Sequence, residues 1–147
     1  MKIRGFFKGG ALGPAYVVAT IIIKELGVES PIEFLVDTGA ARTTILDRDA
    51  IILGIDYTKL RKHPEGTLGI GGMVETYIAE NAELIFITEN GKTHKERLKT
   101  IYILKHTKPN NKILRIPSIL GRDIINKYRL VLDRKREIVI ITDESTP

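Results

Sequence analysis

The feature that most constrains this 147-residue chain is a short β-branched or aliphatic run that recurs between turn residues. β-branched side chains suit extended backbone and pack well on a pleated surface, so these runs favour strands over helices. Runs at this spacing are typical of an all-β barrel or sandwich. The predicted strands cover residues 14–23, 32–36, 43–46, 73–78, 83–88, 98–104, 118–120, 129–133 and 137–142.

The sequence also marks where two hairpins turn. Asn90-Gly91 lies between extended segments, and both residues tolerate the positive φ of a two-residue hairpin turn. Residues 133–136 are expected to turn the final hairpin. No repeat, low-complexity tract or linker divides the chain, so residues 1–147 are predicted to form a single domain.

Two short helices are predicted, each capped at its N-terminus by an aspartate. The first runs from Asp47 to Leu53 and ends at Gly54. The second is capped by Asp123 and covers residues 124–127. The remaining aspartates are also interpreted as caps and turn residues: Asp49, Asp56, Asp133 and Asp143.

Composition argues against several kinds of function. The chain has no cysteine, which excludes disulfides, thiolate catalysis and cysteine-ligated metals. Its net charge of +5 permits attraction to nucleic acid, but no aromatic residues are interleaved with the basic stretch 105–112, so we expect no nucleic-acid partner. His63, His94 and His106 lie in separate polar segments without metal-ligand spacing, so neither a metal nor a cofactor is expected.

An apolar run near the N-terminus loosely imitates a signal peptide, because residues 11–23 follow Lys2, Arg4 and Lys8. No small-residue cleavage site follows the run, and it is shorter than the roughly 20 residues that span a bilayer. Its β-branched second half suits a buried strand. We therefore expect a strand in a cytoplasmic protein with no membrane partner.

One segment combines a strand, a turn and an acid. The apolar residues 34–36 lead directly into Asp37-Thr38-Gly39. Placing an aspartate after an apolar strand is costly unless the carboxylate is hydrogen-bonded or functional. Gly39 lets backbone approach that carboxylate closely, and the Thr38 hydroxyl can tie the turn to another backbone. Asp-Thr-Gly is also a common surface turn, but the apolar runs on both sides of it favour a functional site.

Three motifs in the same order resemble those of the retropepsin-like (retroviral-type) aspartic peptidase family. The resemblance covers about residues 15–142. It implies a mostly β fold, with a closed acid-protease-like barrel of a single lobe, one or two short helices and a symmetric dimer. The motifs are Leu35-Val36-Asp37-Thr38-Gly39-Ala40, which matches the catalytic loop; Gly69-Ile70-Gly71-Gly72-Met73, at the position of the flap; and Ile119-Leu120-Gly121-Arg122-Asp123-Ile124-Ile125, which resembles the final strand, turn and helix.

The resemblance also implies roles for individual residues. Asp37, Thr38 and Gly39 would be catalytic, with Thr38 bonded across to the partner subunit's loop. Peptide hydrolysis without a metal or a nucleophilic side chain needs a base to activate water and an acid to protonate the carbonyl oxygen, and two carboxylates that share a proton supply both. The chain has one such loop, so an identical subunit on a two-fold axis would bring the second. Substrate contacts would come from Ala40, Ala41, Ile70, Gly71, Gly72, Met73 and Ile119.

Several of these assignments have alternatives. Residues 69–73 can be a surface hairpin with no lid function, and the residues proposed to line apolar pockets can belong to the core. The family usually places an acid at the position of Ala41, where it pairs with the arginine that is here Arg122. Because Arg42 follows instead, the charge of the cleft cannot be carried over from viral enzymes. The pocket residues in question are Ile70, Met73, Pro117 and Ile119.

The function predicted from these features is a homodimeric aspartic endopeptidase that cleaves peptides or unfolded protein. An inactive interaction or scaffold module of the same fold is the alternative. A nucleic-acid-binding barrel is suggested only by the net charge.

Overall fold

A sheet that closes on itself dominates the fold, as seen in a computed structural model that describes residues 1–64, 67–69 and 72–145. The runs named above form most of its strands, because alternate side chains of each run can point into one core. The strands are β1 Lys2–Arg4, β2 Phe6–Phe7, β3 Ala15–Ile23, β4 Val28–Val36, β5 Thr44–Ile45, β6 Arg61–Lys62, β7 Thr67–Gly69, β8 Gly72–Ile87, β9 Thr93–His106, β10 Ser118–Leu120, β11 Arg129–Asp133 and β12 Ile138–Thr142. The α-helices are α1 Asp47–Leu53 and α2 Arg122–Ile125, and 3₁₀ turns occur at Lys24–Leu26, Tyr57–Lys59 and Ile113–Arg115.

Six strands form a closed barrel, as predicted. They neighbour one another in the order β3, β4, β10, β5, β9 and β8, and β8 pairs back onto β3. β10 is parallel to β4 and antiparallel to β5, so it separates two strands that are close in sequence. This arrangement places the strand 118–120 directly beside the strand that leads into Asp37.

The barrel interior explains the apolar runs. In β3 every second residue from Ala15 to Ile23 is buried, as expected for a strand with one face on a core. The N-terminal apolar run is thus a barrel strand, as predicted. Large side chains that are fully buried include Ile21, Phe34, Ile45, Leu84, Ile101, Ile103, Leu120 and Ile124.

The longest ribbon joins β8 and β9. Their register runs from Val74 opposite His106 to Ile87 opposite Thr93, and Gly91 has a φ of 80° in the connecting turn. The hairpin predicted at Asn90-Gly91 is confirmed, but its turn is longer than the two residues expected, and only Gly91 of the pair has a positive φ. The predicted break between residues 78 and 83 is wrong, because β8 continues through it with a single left-handed residue, Asn81, at φ 58°.

Both chain ends meet in a small second sheet. β12 lies between β1 and β11, so the predicted final hairpin is confirmed and the N-terminal strand is added to it. The N-terminal amino group donates to the Asp143 carboxylate at 2.7 Å. This ion pair lowers the pKa of Asp143 below its usual value.

Both predicted aspartate helix caps are wrong, although the helices exist. Leu46 occupies the N-cap position of α1, and Gly121 that of α2. Asp47 and Asp123 instead accept hydrogen bonds from distant segments, because those donors are buried with them and satisfy the carboxylates better than a helix end does. Gly54 ends α1 at a φ of 66°, as predicted.

The other aspartates divide in a similar way. Asp56 caps the 3₁₀ turn that follows it, and Asp133 accepts the Arg136 N–H in its turn, so both predictions are confirmed. The prediction for Asp49 is wrong, because its carboxylate is buried and accepts from the Ser118 hydroxyl. Within the described ranges, no helix has the length and apolar character needed to cross a membrane.

Candidate active site

The segment 37–42, called here the Asp37 loop, leaves the barrel where β4 ends. Asp37 continues the strand pairing, since its N–H donates to the Leu120 carbonyl at 3.1 Å. The Ala40 N–H then bonds back to the Asp37 carbonyl at 3.2 Å and closes the turn. The acid is therefore fixed by a barrel strand, while its side chain stays half-buried at the end of that strand.

The carboxylate of Asp37 lies against the backbone of its own loop. The Gly39 N–H donates to Asp37 Oδ1 at 2.9 Å, and a Cβ on residue 39 would lie 3.2 Å from that oxygen. A glycine keeps this approach open, as the sequence predicted. In the part of the chain that the structure describes, this is the one hydrogen bond that the carboxylate accepts, so most of its acceptor capacity is unused there.

A close backbone crossing supports the loop from behind. A Cβ on residue 121 would lie 2.5 Å from the Arg42 carbonyl carbon, so only glycine fits there. The two residues after Gly121 donate their N–H groups to the carbonyls of Ala40 and Ala41, at 2.8 and 3.1 Å. Gly121 of the third motif therefore allows the backbones to approach closely enough for helix α2 to hydrogen-bond to the Asp37 loop.

Thr43 and Asp123 lock this crossing from the side. The Thr43 N–H and hydroxyl both donate to the Asp123 carboxylate, the hydroxyl at 2.7 Å. The same hydroxyl oxygen accepts the Gly121 N–H at 3.1 Å. With several donors around it, Asp123 is a structural acid, which agrees with its exclusion from the predicted catalytic residues.

Arg122 also supports the Asp37 loop, though not through an acid. Its Nη1 donates to the Thr38 carbonyl at 2.9 Å. The residue at position 41, where the family usually has an acid, is an exposed alanine. A backbone carbonyl of the loop therefore takes the place of the carboxylate that usually pairs with this arginine.

One face of the barrel continues from Asp37 across four strands. Leu35 of β4 pairs with Ile119 of β10, Ile119 with Thr44 of β5, and Thr44 with Tyr102 of β9. Paired residues project to the same side of a sheet, and residue 37, two after Leu35, returns to that side. All four side chains are half-buried, whereas most of their neighbours on the strands are buried: Phe34, Ser118, Leu120, Thr43, Ile45, Ile101 and Ile103. Ile119 therefore lies on the Asp37 side and not in the core.

The other predicted substrate contacts are placed only in part. Ala40 is half-buried and Ala41 exposed, both in the Asp37 loop. In the glycine-rich stretch, Gly72 pairs with Gly69 and Met73 with Leu68, as two arms of an antiparallel pair. Ile70 and Gly71 lie outside the described residues. Pro117 is half-buried just before β10.

Sequence reasoning missed Thr44 and Tyr102 on this face. Alternation with the buried Ile101 and Ile103 places Tyr102 outward, but only the pairing of β9 with β5 shows that this outward face adjoins Asp37. That pairing joins segments almost 60 residues apart, and no local signal specifies it.

A second group of buried polar residues, called here the α1 acid cluster, consists of Asp47, Asp49, His106 and Ser118. Asp47 accepts the His106 backbone N–H at 2.8 Å and lies 2.6 Å from its ring Nδ1. The Ser118 hydroxyl donates to Asp49 at 2.6 Å and accepts the Leu46 N–H at 3.0 Å. Among the described side chains, no three His, Asp or Glu residues are grouped as metal ligands would be.

Comparison with known proteins assigns the chain to a family. The family described as "Retroviral aspartyl protease" matches residues 15–133. The chain belongs to this family of retropepsin-like aspartic proteases. A search of curated protein sequences gave no match.

Two solved structures illustrate the likeness. A retropepsin-like aspartic protease from Rickettsia conorii is 17% identical, with 96% of this chain and 89% of that chain covered and a TM-score of 0.56. EIAV protease, complexed with the inhibitor HBY-793, is 22% identical, with coverages of 85% and 99% and a TM-score of 0.47. At such identities the Rickettsia structure supports the fold alone.

Proposed function

We propose that this protein is an aspartic endopeptidase in which two Asp37 carboxylates, one from each subunit of a homodimer, activate a water molecule that hydrolyses a peptide bond. The observation that carries the proposal is the state of Asp37. Its backbone is fixed by Leu120 and its Oδ1 by Gly39, yet the carboxylate keeps free acceptor capacity on a half-exposed face. A buried structural acid would have that capacity filled.

The chemistry requires a second copy of the chain. Two carboxylates about 3 Å apart cannot both be ionised, so they share a proton, and one acts as base while the other acts as acid. Within the described residues, no second carboxylate is hydrogen-bonded to Asp37. A two-fold axis beside the Asp37 loop supplies the missing partner, and the exposed Thr38 hydroxyl is free to bond across that axis.

The substrate is an extended peptide that lies along the face described above. Leu35 and Ile119 give it an apolar floor next to Asp37. The paired segments 67–69 and 72–74 offer backbone groups for pairing with an extended chain, which is a common way to bind a peptide. We assign substrate contacts to Ala40, Ala41, Ile70, Gly71, Gly72, Met73 and Ile119, as the family resemblance implies.

The test compares the parent with Asp37→Asn in solution mass and in cleavage of a broad peptide library from acidic to neutral pH. The expected result is a dimer that cleaves peptides, and a variant that folds and dimerises but does not cleave. Asp56→Asn is the matched control, since Asp56 is an exposed capping acid outside the site and its loss should leave cleavage intact.

Two outcomes contradict the proposal. Cleavage by Asp37→Asn at the parent rate shows that another group catalyses the reaction. A dimer that cleaves no peptide of the library supports the alternative, an interaction module that retains the fold without the chemistry.

A further inference from the structure

Arg42 lies on the same barrel face as Asp37. Its guanidinium carbon sits 5.3 Å from the centre of the Tyr102 ring, and Tyr102 belongs to the row of paired residues that begins at Leu35. An arginine stacked on an aromatic face is held with its planar donors directed outward along the ring. The residue that ends the Asp37 loop therefore places a positive charge on the proposed substrate face.

The position of this charge is well defined. The Arg42 carbonyl accepts the Thr44 hydroxyl at 3.0 Å, and its backbone crosses Gly121 in close contact. A fixed backbone and a stacked side chain reduce the conformational entropy that Arg42 would lose on binding a ligand. The arginine is thus ordered before any substrate arrives.

No acid in the described part of the chain neutralises Arg42. Its side chain is exposed and forms no ion pair with any described carboxylate. The acids Glu75 and Glu80 of β8 are already paired with Lys62 and Arg61. An exposed, oriented guanidinium without an internal carboxylate is suited to bind a carboxylate from outside.

We propose that Arg42 selects substrates with an acidic side chain a few residues from the scissile bond, an inference that rests on the proposed peptidase function. Tyr102 is three strands away from Leu35, which is about 14 Å at about 4.8 Å per strand. An extended peptide covers that distance in about four residues. The preferred substrate therefore has apolar residues over Leu35 and Ile119, and a glutamate or aspartate about two to four residues away.

The experiment uses pairs of peptides that differ only by Glu or Gln at each of these positions, with the parent and Arg42→Gln. In the parent we expect kcat/KM to be about fivefold higher for the glutamate peptide at the best position. In Arg42→Gln the ratio of kcat/KM for the glutamate peptide to kcat/KM for the glutamine peptide should fall to about one, because only cleavage of the acidic peptide slows. In Arg42→Glu the same ratio should fall below one. Added salt should reduce the parent's preference.

Arg97→Gln is the matched control. Arg97 is also exposed, but it lies five residues from Tyr102 on β9, about 17 Å along an extended strand, and its guanidinium pairs with Glu83. Its loss removes the same charge and should leave the preference unchanged. Equal cleavage of all pairs by the parent, or a preference that persists in Arg42→Gln, overturns the inference while the peptidase function stands.

A second measurement keeps the two proposals separate. If no peptide is cleaved, the peptidase function fails, and binding of the same labelled peptides is measured by fluorescence anisotropy. Tighter binding of the glutamate peptide that is lost in Arg42→Gln supports the role of Arg42. Equal binding of both peptides, or no binding of either, overturns it.

Discussion

Two places in this barrel hold aspartates at the ends of buried strands, the Asp37 loop and the α1 acid cluster. Asp47 and Asp49 are 4% and 8% exposed, and each accepts hydrogen bonds from buried partners, His106 and Ser118. Asp37 is half-buried and accepts one bond, from Gly39 in its own loop. The same side chain after the same kind of strand thus has its acceptors filled in one place and open in the other.

The difference separates a carboxylate whose acceptors are open from carboxylates that hold buried segments together. A carboxylate removed from water is tolerated when donors surround it, and its role is then to hold segments together. A carboxylate that is rigidly placed but incompletely bonded is available to water and to a second acid. The residues that precede the two acids do not distinguish them, because Asp47 follows Ile45-Leu46 just as Asp37 follows Leu35-Val36.

The largest expected effect separates the two regions by activity. Asp37→Asn should lower kcat by about 10³-fold or more, because an amide can act neither as the base nor as the shared acid. Its free energy of unfolding should change by less than about 0.5 kcal/mol, since the amide oxygen can still accept the Gly39 N–H. Urea unfolding and peptide cleavage on the same samples test both statements. A large loss of stability would place Asp37 among the structural acids.

The opposite result is expected in the α1 acid cluster. Asp47→Ala should destabilise the protein by about 3–5 kcal/mol, because it removes both hydrogen bonds that Asp47 provides to the buried His106. Urea unfolding measures the loss. Asp56→Ala is the control, since the loss of an exposed capping acid should lower the free energy of unfolding much less than the loss of a buried one. An Asp47→Ala variant no less stable than this control would contradict the comparison.

The sequence predicts what depends on local pattern. The β-branched runs predict the barrel strands, Asn90-Gly91 predicts a hairpin and Gly54 predicts the end of a helix. Each of these depends on residues that are adjacent in the chain. The position of Asp37 after an apolar strand followed from the same reasoning, and Gly39 does approach its carboxylate.

What the sequence could not predict depends on contacts between distant segments. The sequence predicts that Asp123 caps a helix, yet its donor is Thr43, 80 residues away. The pairing of Tyr102 with Thr44, which brings Arg42 and Tyr102 together, depends on how the barrel closes. A buried donor or a strand register has no signature in either segment alone.

Two buried hydroxyls, one in each region, are expected to give effects of intermediate size on the free energy of unfolding. Ser118 in the α1 acid cluster and Thr43 behind the Asp37 loop are both fully buried, and each hydroxyl donates to an aspartate and accepts a backbone N–H. Ser118→Ala and Thr43→Val should each lower the free energy of unfolding by about 1–3 kcal/mol, because each leaves a buried backbone N–H without its acceptor and removes one donor from an aspartate. Only Thr43→Val should also reduce kcat, since Thr43 supports the loop that carries Asp37. If Ser118→Ala and Thr43→Val reduce kcat equally, Thr43 has no special role in supporting the Asp37 loop.

The smallest expected effect is a pH dependence of the free energy of unfolding, caused by Tyr57 beside the α1 acid cluster. Burial raises the pKa of Tyr57 to about 12, with smaller contributions from the negative charge of Asp47 and from Tyr77. The folded state therefore holds this proton more tightly than the unfolded state, whose tyrosines titrate near a pKa of about 10. The resulting stability is present below about pH 10 and is lost as pH rises toward 12. Urea unfolding from pH 9 upward should show the parent losing stability relative to Tyr57→Phe across that window, with the direction set by the raised pKa. Asp47→Asn should narrow this pH range, because it removes the negative charge that opposes ionisation of Tyr57. If the free energy of unfolding changes with pH in the same way for the parent and Tyr57→Phe, the fold does not hold the phenol neutral.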